Sequence, residues 1–447
     1  MKGSRGRVVI TYGTFDLLHQ GHINLLRRAR ELGDYLIVGV TSESYDLQRG
    51  KLNVRQPLSE RIKNVERTGL ADLIIVEEYE GQKIEDIERY NVDIFAIGSD
   101  WKGKFDYLKD FAEVVYLERT RGISSTDLRG YLKLGIIGTG RIAQRFINEA
   151  KYVSGVLVEW VYHPNEEKAK AFAQKFELSV GTGNLSEFFS EVDAIYIATP
   201  HHTHYEYISK GLQANKHVLA EKPMVLSHNQ AKELFALAYE RKKVLLEAIK
   251  TAFAPSFRRI IGLARSRRVG QIVHVDATFT KLISEGRELD PTQAGGSVTE
   301  LGSYVLLPTV KLLGTNIKAS FLSKRGPTGV DIWTRITSLT EGKAATGRVG
   351  IGVKEEGDLV IGGTTGYIYV PAPWWKPKCF EIRREDPSQN ETYCDVFAGD
   401  GLRYELAHFA QLIQQGRIES HLLRPEESIA IAGVIEQFLL GKNVSWL

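Results

Sequence analysis

Two glycine-bearing loops in this chain hold residue types that handle phosphate, and each lies between a β-branched run and a helical pattern. The first reads Tyr12-Gly13-Thr14-Phe15-Asp16-Leu17-Leu18-His19-Gln20-Gly21-His22. Its small residues let backbone approach a phosphate at the end of a strand. A helix opening near Gly21 would aim free N–H groups and a positive dipole end at the same place. His19 and His22 stand three apart, so both fall on one side of the first helical turn. There two imidazoles can donate hydrogen bonds to phosphoryl oxygens whose charge builds during attack; the same pair could instead simply cap the helix. Arg119-Thr120-Arg121-Gly122-Ile123-Ser124-Ser125-Thr126 follows the last strand of this region and adds hydroxyls, backbone N–H groups and a cation at another helix start. Together the two stretches describe a nucleoside triphosphate site.

The second loop is Gly138-Thr139-Gly140-Arg141-Ile142-Ala143, a G-x-G-x-x-A fingerprint in the strand-to-helix context that dinucleotide binding requires. The acidic residue that usually holds the ribose at the end of the next strand is missing, because that stretch reads Trp160-Val161-Tyr162-His163-Pro164-Asn165. No carboxylate would repel a 2′-phosphate, and His163 or Asn165 could accept one, so NADP(H) is favoured over NAD(H). His201, His202 and His204 look like a metal cluster, but a β–α loop against the nicotinamide is the better reading. His217 reads as a plain strand residue. Trp374-Trp375 suits a substrate pocket and an oligomer interface equally.

These residues need a scaffold. Strands are expected at 8–12, 35–41, 73–76, 94–97 and 114–117, with helices at 23–32 and 84–89, which makes a small α/β unit with a parallel sheet. The alternation restarts with strands at 132–137, 156–161, 194–198, 217–219 and 244–247 and helices at 142–151, 166–175, 204–212 and 229–241, a doubly wound domain. After Pro255 the strands, at 271–281, 319–323, 336–340, 346–353, 358–361 and 367–370, are punctuated by glycine, with helices at 257–264, 305–313, 404–415 and 426–441. The fold class is therefore α/β: a nucleotidyltransferase-like domain at 1–130, a Rossmann domain at 131–254 and an α+β domain at 255–447 with a mostly antiparallel open sheet.

A length of 447 residues calls for two or three domains. With 43% hydrophobic and 25% charged residues the composition is globular, and a net charge of +3 gives no reason to expect nucleic acid or membrane partners. Arg27-Arg28 and Arg265-Ser266-Arg267-Arg268 read as solvated helix faces. No apolar run approaches the ~18 residues that span a bilayer, so a soluble cytoplasmic protein is expected. Cys379 and Cys394 have no metal spacing and are expected as packing residues, not a disulfide.

Residues 7–129 resemble the bacterial glycerol-3-phosphate cytidylyltransferases through the Tyr12–His22 motif, Gly98-Ser99-Asp100-Trp101-Lys102-Gly103-Lys104-Phe105-Asp106, Val114-Val115-Tyr116-Leu117 and the 119–126 stretch. The resemblance implies cytidylyl transfer from CTP to a phosphomonoester, with release of pyrophosphate and with Mg²⁺ accompanying CTP. It assigns His19 and His22 to transition-state stabilisation, Lys51 and Arg119 to charge neutralisation, and Gly13 and Thr14 to phosphate. Asp16 and Asp100 would orient ribose, metal or substrate. Tyr12, Phe15, Gly21, Thr120, Gly122, Ile123, Ser124, Ser125 and Thr126 would complete the CTP site. The family's lysine-rich pair departs here to Arg49-Gly50-Lys51-Leu52. Arg49 would face the phosphate acceptor with a changed geometry, so the acceptor need not be glycerol 3-phosphate.

Residues 132–447 resemble the Gfo/Idh/MocA oxidoreductases. The motifs are Ala198-Thr199-Pro200-His201-His202-Thr203-His204, Lys216-His217-Val218-Leu219-Ala220-Glu221-Lys222-Pro223-Met224, Glu247-Ala248 with Phe253-Ala254-Pro255, and Gly295-Gly296-Ser297-Val298-Thr299-Glu300-Leu301-Gly302-Ser303-Tyr304. Lys222 would sit beside the nicotinamide and the substrate oxygen. Thr199, Pro200, His201, His204, Glu221 and Pro223 would flank the cofactor. Where the family commonly has Asp-x-Gly-x-His, this chain has Glu300-x-Gly302-x-Tyr304, similar to the dihydrodiol dehydrogenase and glucose–fructose oxidoreductase branch. Tyr304 would then be the general acid, and Glu300 would face substrate. Such folds typically form dimers or larger homo-oligomers.

The fusion suggests synthesis of a CDP-activated polyol for capsule or teichoic-acid-type polymers. A ketose phosphate would be reduced before or after cytidylyl transfer, with fructose 6-phosphate, ribulose 5-phosphate and dihydroxyacetone phosphate as candidates. An oxidoreductase acting on an unrelated sugar or sugar nucleotide, or one domain serving only to bind, are the alternatives.

Overall fold

Val8–Gly13 (β1) is a continuous apolar and β-branched run, and such runs suit a strand covered on both faces. It is the central strand of a parallel sheet that also contains β2 (Tyr35–Thr41), β3 (Leu73–Glu77), β4 (Ile94–Gly98) and β5 (Glu113–Leu117), in the order β3-β2-β1-β4-β5. The computed structural model describes residues 6–118, 132–340 and 342–447. The chain divides into two compact units, Met1–Tyr131 with Tyr152–Gly155 and Leu132–Lys151 with Val156–Leu447.

In the first unit, helices α1 (Gln20–Glu31), α2 (Glu43–Gln48), α3 (Leu58–Glu66) and α4 (Gln82–Tyr90) accompany the sheet. The sequence pattern gives α1 and α4 but not α2 or α3. α2 has only six residues. α3 buries Arg61 together with Val65, so its inward face reads as charged and the apolar period is disguised.

The second unit holds a six-stranded parallel sheet of β6 (Leu132–Ile137), β7 (Val156–Tyr162), β8 (Val180–Thr182), β9 (Ala194–Ile197), β10 (His217–Glu221) and β11 (Leu245–Ala248), ordered β11-β10-β9-β6-β7-β8. Its helices are α5 (Arg141–Ala150), α6 (Glu166–Phe176), α7 (Leu185–Glu191), α8 (His204–Gln213) and α9 (His228–Glu240). The short β8 and α7 are additions to the sequence reading.

After α10 (Pro255–Arg265) comes a nine-stranded sheet. It comprises β12 (Ile272–Thr280), β13 (Lys318–Arg325), β14 (Asp331–Thr340), β15 (Lys343–Gly350), β16 (Leu359–Gly363), β17 (Gly366–Val370), β18 (Cys379–Arg383), β19 (Glu391–Cys394) and β20 (Val444–Trp446). Their order is β19-β18-β17-β16-β12-β15-β14-β13-β20, and all pairs are antiparallel except β12–β15 and β13–β20. Helices α11 (Ser297–Leu313), α12 (Leu402–Gln414) and α13 (Pro425–Leu439) complete the unit.

α11 starts eight residues before the expected position. Its first turn is capped from a distant strand, because Asp331 accepts the Val298 N–H at 3.0 Å and the Ser297 hydroxyl. Gly296, at φ 129°, admits that carboxylate, since a Cβ there would stand 2.1 Å from Asp331 Oδ1. The cysteine expectation is overturned: Cys379 and Cys394 form a disulfide. They are direct cross-strand neighbours on β18 and β19, two strands the sequence reading did not contain, and the hairpin brings their Cα atoms to 4.1 Å.

Candidate active sites

The first site gathers at the carboxyl ends of β1 and β2, where open parallel sheets place ligand crevices. The loop after Gly13 has two non-glycine residues in the left-handed region, Phe15 at φ 50° and Leu17 at φ 47°. Tertiary bonds hold it there. The Phe15 ring is buried in the core and lies over Gly13, where a Cβ would meet it at 2.9 Å. Asp16 accepts the backbone N–H groups of Arg55 and Gln56 at 3.0 and 2.9 Å, and Leu17 N–H donates to Gln56 Oε1 at 2.7 Å. Asp16 therefore ties two loops together instead of facing ribose or metal, and Phe15 can offer a ligand only its backbone. Tyr12 is likewise a core residue: its hydroxyl donates to Asp86 at 2.8 Å, and burial followed by the Asp86 charge raises its pKa far above 10.

His19 is the N-cap of α1, its Nδ1 accepting the Gly21 N–H at 3.0 Å. The capping reading and the catalytic one are compatible, because an acceptor Nδ1 leaves the proton on Nε2, where it can be donated. The His22 ring stacks on His19 at 3.9 Å. Burial first, then His19 and Lys51, push His22 well below its usual pKa, so it is neutral at physiological pH. Lys51 is pushed down to about 8 by burial and by Arg49, against the pull of Asp46 and Asp16.

Asp46 organises this site, and sequence reasoning missed it along with Arg61. Buried Asp46 receives Arg49 at 2.7 Å, Thr14 Oγ1 at 3.2 Å and Thr41 Oγ1 at 2.8 Å. Fully buried Arg61 bridges the Thr14 and Thr41 carbonyls at 2.8 Å each. Arg49 also reaches Thr14 Oγ1 at 3.3 Å, so it is held by α2 and the phosphate loop together. The i,i+3 spacing of Asp46 and Arg49 was the available signal, hidden because α2 went unread. Asp100 is exposed on a turn after β4. Arg119, Thr120, Gly122, Ile123, Ser124, Ser125 and Thr126 lie outside the described residues.

In the second unit the β6–α5 turn has the form a dinucleotide needs. Gly138 has φ 107°, and a Cβ on it would strike the Ala198 carbonyl oxygen at 2.5 Å. At Gly140, the N-cap of α5, no atom of the described residues beyond its chain neighbours lies within 4 Å of where a Cβ would stand, so this helix start is open to a pyrophosphate. Thr139 and Ile142 flank it half-buried. The Arg141 side chain turns to Glu288. At the end of β7, His163 Nδ1 accepts the Asn165 N–H at 2.9 Å, and Asn165 Oδ1 caps α6 through the Lys168 N–H at 3.0 Å. Both side chains keep donors, His163 Nε2–H and the Asn165 amide, beside Lys168, and no carboxylate ends the strand. These groups fit a 2′-phosphate.

Lys222 and Tyr304 come together. Lys222 Nζ donates to the Glu300 carbonyl at 3.0 Å, lies 4.0 Å from its carboxylate and stands 5.9 Å from the Tyr304 ring centre. Glu300 and Tyr304 are one turn apart on α11. Burial alone would raise the Glu300 pKa, but His201, bonded at 2.9 Å, Lys222 and Arg287, paired at 3.0 Å, hold it well below the carboxylate range. Glu300 is thus a hub that orders three residues, not a group presented to substrate. Tyr304 has its pKa raised well above 10 by burial and then by Glu221 and Glu405, and its hydroxyl has no hydrogen-bond partner among the described residues.

Other expected cofactor contacts are structural. His201 bonds Glu300 through Nε2, and its buried Nδ1 has no hydrogen-bond partner among the described residues. His204 lies between the carbonyls of Thr199 and Pro223 at 2.8 and 2.9 Å, and burial holds it at about 4, so it is neutral and its single N–H donates to one of these two loops beside Lys222. Buried Glu221 turns inward to accept the Tyr196 hydroxyl at 2.6 Å. No three His, Cys, Asp or Glu side chains gather as a metal site among the described residues. His217 accepts the Val244 N–H, as a strand residue would. Trp374 is core, its Nε1 donating to the Thr278 carbonyl, whereas Trp375 stacks at 3.5 Å on Phe279, whose ring meets Tyr304 at 5.1 Å. Glu405, which acts electrostatically on Tyr304, is wholly buried with neither oxygen hydrogen-bonded among the described residues, and its pKa is raised well above 4.5 by burial and then Glu221. Its place among apolar α12 residues gave no signal in the sequence.

Known proteins match the two units separately. A cytidylyltransferase-like family model matches residues 10–131, and the Gfo/Idh/MocA model, an oxidoreductase family with an NAD-binding Rossmann fold, matches residues 132–248. Glycerol-3-phosphate cytidylyltransferase of Staphylococcus aureus is 50% identical over 121 residues, 27% of this chain and 91% of that protein. Trans-1,2-dihydrobenzene-1,2-diol dehydrogenase of Xenopus laevis is 28% identical over 321 residues, 69% of this chain and 97% of its own. A 3-ketoreductase from Actinomadura kijaniata, solved with NADP and TDP-benzene, shares the fold at a TM-score of 0.64 and 23% identity over 71% of this chain and 99% of its own. No helix of the described residues is long and apolar enough to cross a membrane.

Proposed function

Because the chain belongs to the cytidylyltransferase-like family in its first part and to the Gfo/Idh/MocA oxidoreductases in the remainder, we propose that this two-activity enzyme makes a CDP-activated polyol. It transfers a cytidylyl group from CTP to a ketose or polyol phosphate and reduces the ketose carbonyl to an alcohol, supplying a capsule or teichoic-acid-type polymer. The observation that carries this reading is that Lys222 and Tyr304 form an acid pair for a carbonyl on the same chain as the stacked His19–His22 pair.

In the first reaction an acceptor phosphate oxygen attacks the α-phosphorus of CTP, a new P–O bond forms and pyrophosphate leaves. His19 and His22 donate to the oxygens that gain charge, while Lys51 and Arg49 receive the charge of the triphosphate and the acceptor. Mg²⁺ would enter with the triphosphate and offset its charge.

In the second reaction NADPH, favoured over NADH by the donors at the end of β7, supplies a hydride when bound. Gly138 and Gly140 admit the pyrophosphate, and His163, Asn165 and Lys168 receive the 2′-phosphate. Tyr304 keeps its proton at neutral pH and passes it to the carbonyl oxygen as that oxygen becomes an alkoxide. Lys222, fixed by the Glu300 carbonyl, orients and polarises the same oxygen.

The test incubates the protein with CTP, Mg²⁺ and a panel of ketose and polyol phosphates, with and without NADPH, following pyrophosphate release and NADPH loss together. NADPH consumption that requires CTP places transfer first, and consumption without CTP places reduction first. Turnover only with unphosphorylated sugars or UDP-sugars overturns the reading.

A further inference from the structure

Lys222 of the reductase acid pair has Glu300 as its carboxylate partner, and the nearby Arg141 and Arg287 pair with Glu288 and Glu300. Lys281 differs from these three. Its ammonium has no carboxylate or hydrogen-bond partner among the described residues. Its backbone continues the ladder past the end of β12, with its N–H on the Gly350 carbonyl at 2.9 Å. Alternation therefore sends its side chain to the same face as Phe279, two residues earlier.

The rings locate that face. The Lys281 ammonium is 5.9 Å from the centre of Phe279, Phe279 meets Tyr304 at 5.1 Å, and the Lys222 ammonium is 5.9 Å from the centre of Tyr304. The two ammonium groups thus flank a pair of touching rings, with Trp375 stacked on Phe279 behind them. Although exposed, Lys281 is crowded. Surrounding protein and then the Lys222 charge push its pKa down, and Glu300 and Glu288 restore it only in part. An unpaired ammonium close to a second one is electrostatically costly unless an anion joins them.

Resting on the ketose reading above, we propose that Lys281 is a specificity residue that binds the phosphoryl group of the carbonyl substrate while Lys222 and Tyr304 hold its reacting oxygen. The ligand chemistry is a phosphate a few carbons from a carbonyl, free as a ketose phosphate or esterified in a CDP-ketose.

The experiment compares wild type, Lys281→Ala and Lys281→Arg in NADPH-dependent reduction. Substrates are dihydroxyacetone phosphate, ribulose 5-phosphate and fructose 6-phosphate, each beside its dephosphorylated ketose, and the CDP-ketose made in situ with CTP. NADPH binding is measured by fluorescence. For a phosphorylated substrate, Lys281→Ala should lower kcat/KM by about 10- to 100-fold, the size of a lost charge-assisted hydrogen bond. The dephosphorylated ketose should change less than twofold, NADPH affinity should hold, and Lys281→Arg should recover most of the loss. The substrate form that shows the loss, free or CDP-linked, identifies the source of the phosphate. An equal fall on both members of a pair, no fall, or weakened NADPH binding overturns the role of Lys281. If the wild type reduces no ketose in any form while still binding NADPH, the ketose reading fails and this proposal falls with it.

Discussion

The same substitution at two glycines of one turn should have opposite consequences. At Gly138 an alanine would have to hold φ 107°, which costs a non-glycine residue about 1–3 kcal/mol. Its Cβ would also stand 2.5 Å from the Ala198 carbonyl oxygen, where ordinary contacts begin near 3.4 Å, and that oxygen belongs to a core strand end that cannot swing aside. Gly138→Ala should therefore cost roughly 3 kcal/mol or more in all and lower the Tm of the oxidoreductase unit by about 6 °C or more, taking 2–4 °C per kcal/mol. Gly140 has φ −73° and ψ −178°, which any residue adopts, and among the described residues no atom beyond its chain neighbours lies within 4 Å of a Cβ there. Gly140→Ala should lose at most about 1 kcal/mol, from a poorer N-cap. Its methyl group would instead occupy the approach of the dinucleotide pyrophosphate to the first N–H groups of α5. Losing one charge-assisted hydrogen bond is worth about 1.5–3 kcal/mol, a 10- to 150-fold rise in Kd. Differential scanning fluorimetry and NADPH fluorescence titration separate the two effects. Unchanged NADPH affinity in Gly140→Ala, or a wild-type Tm in Gly138→Ala, would refute this account of the turn.

Tyr304→Phe should lower carbonyl reduction by ~10²-fold or more while leaving NADPH binding intact, as steady-state rates and titration would report. His19→Ala should cost cytidylyl transfer roughly 10²–10³-fold, the effect of one lost transition-state donor, with NADPH oxidation as the internal control. Lys51 carries its charge below about 8, so kcat/KM for CTP should fall as pH rises through that value, far below the ordinary lysine range; Lys51→Arg should remove this limb because the guanidinium stays charged. Glu405 has a folded-state pKa raised above its unfolded value, so its ionisation costs nothing at acidic pH and the penalty grows as pH rises from the unfolded value toward the folded one. Glu405→Gln should then raise Tm more at pH 8 than at pH 5, and an equal gain at both would show that Glu405 is not the titrating group.

Much of this protein was legible without coordinates. Short continuous apolar runs placed the parallel strands of both nucleotide folds, and stretches of period 3.6 placed most of the helices between them, because these elements are local and strongly patterned. Gly138 and Gly140, and His19 and His22, were visible because phosphate cradles demand particular residue types at fixed short spacings, whereas Lys222 and Tyr304, far apart in sequence, were implied only by the resemblance to the Gfo/Idh/MocA oxidoreductases. The tertiary structure decided what distant residues do to one another. It made Asp16 a loop tie, turned Glu300 into a hub for His201, Arg287 and Lys222, and set His204 between two carbonyls. It supplied the α11 cap from Asp331 and joined Cys379 to Cys394, neither of which has a local signature. It also buried Asp46, Arg61 and Glu405, charged residues that any pattern sends to the surface. Local sequence sets backbone conformation and the inventory of chemical groups, but a buried charge is tolerated only where partners from other elements meet it, and only the folded chain determines which partners those are.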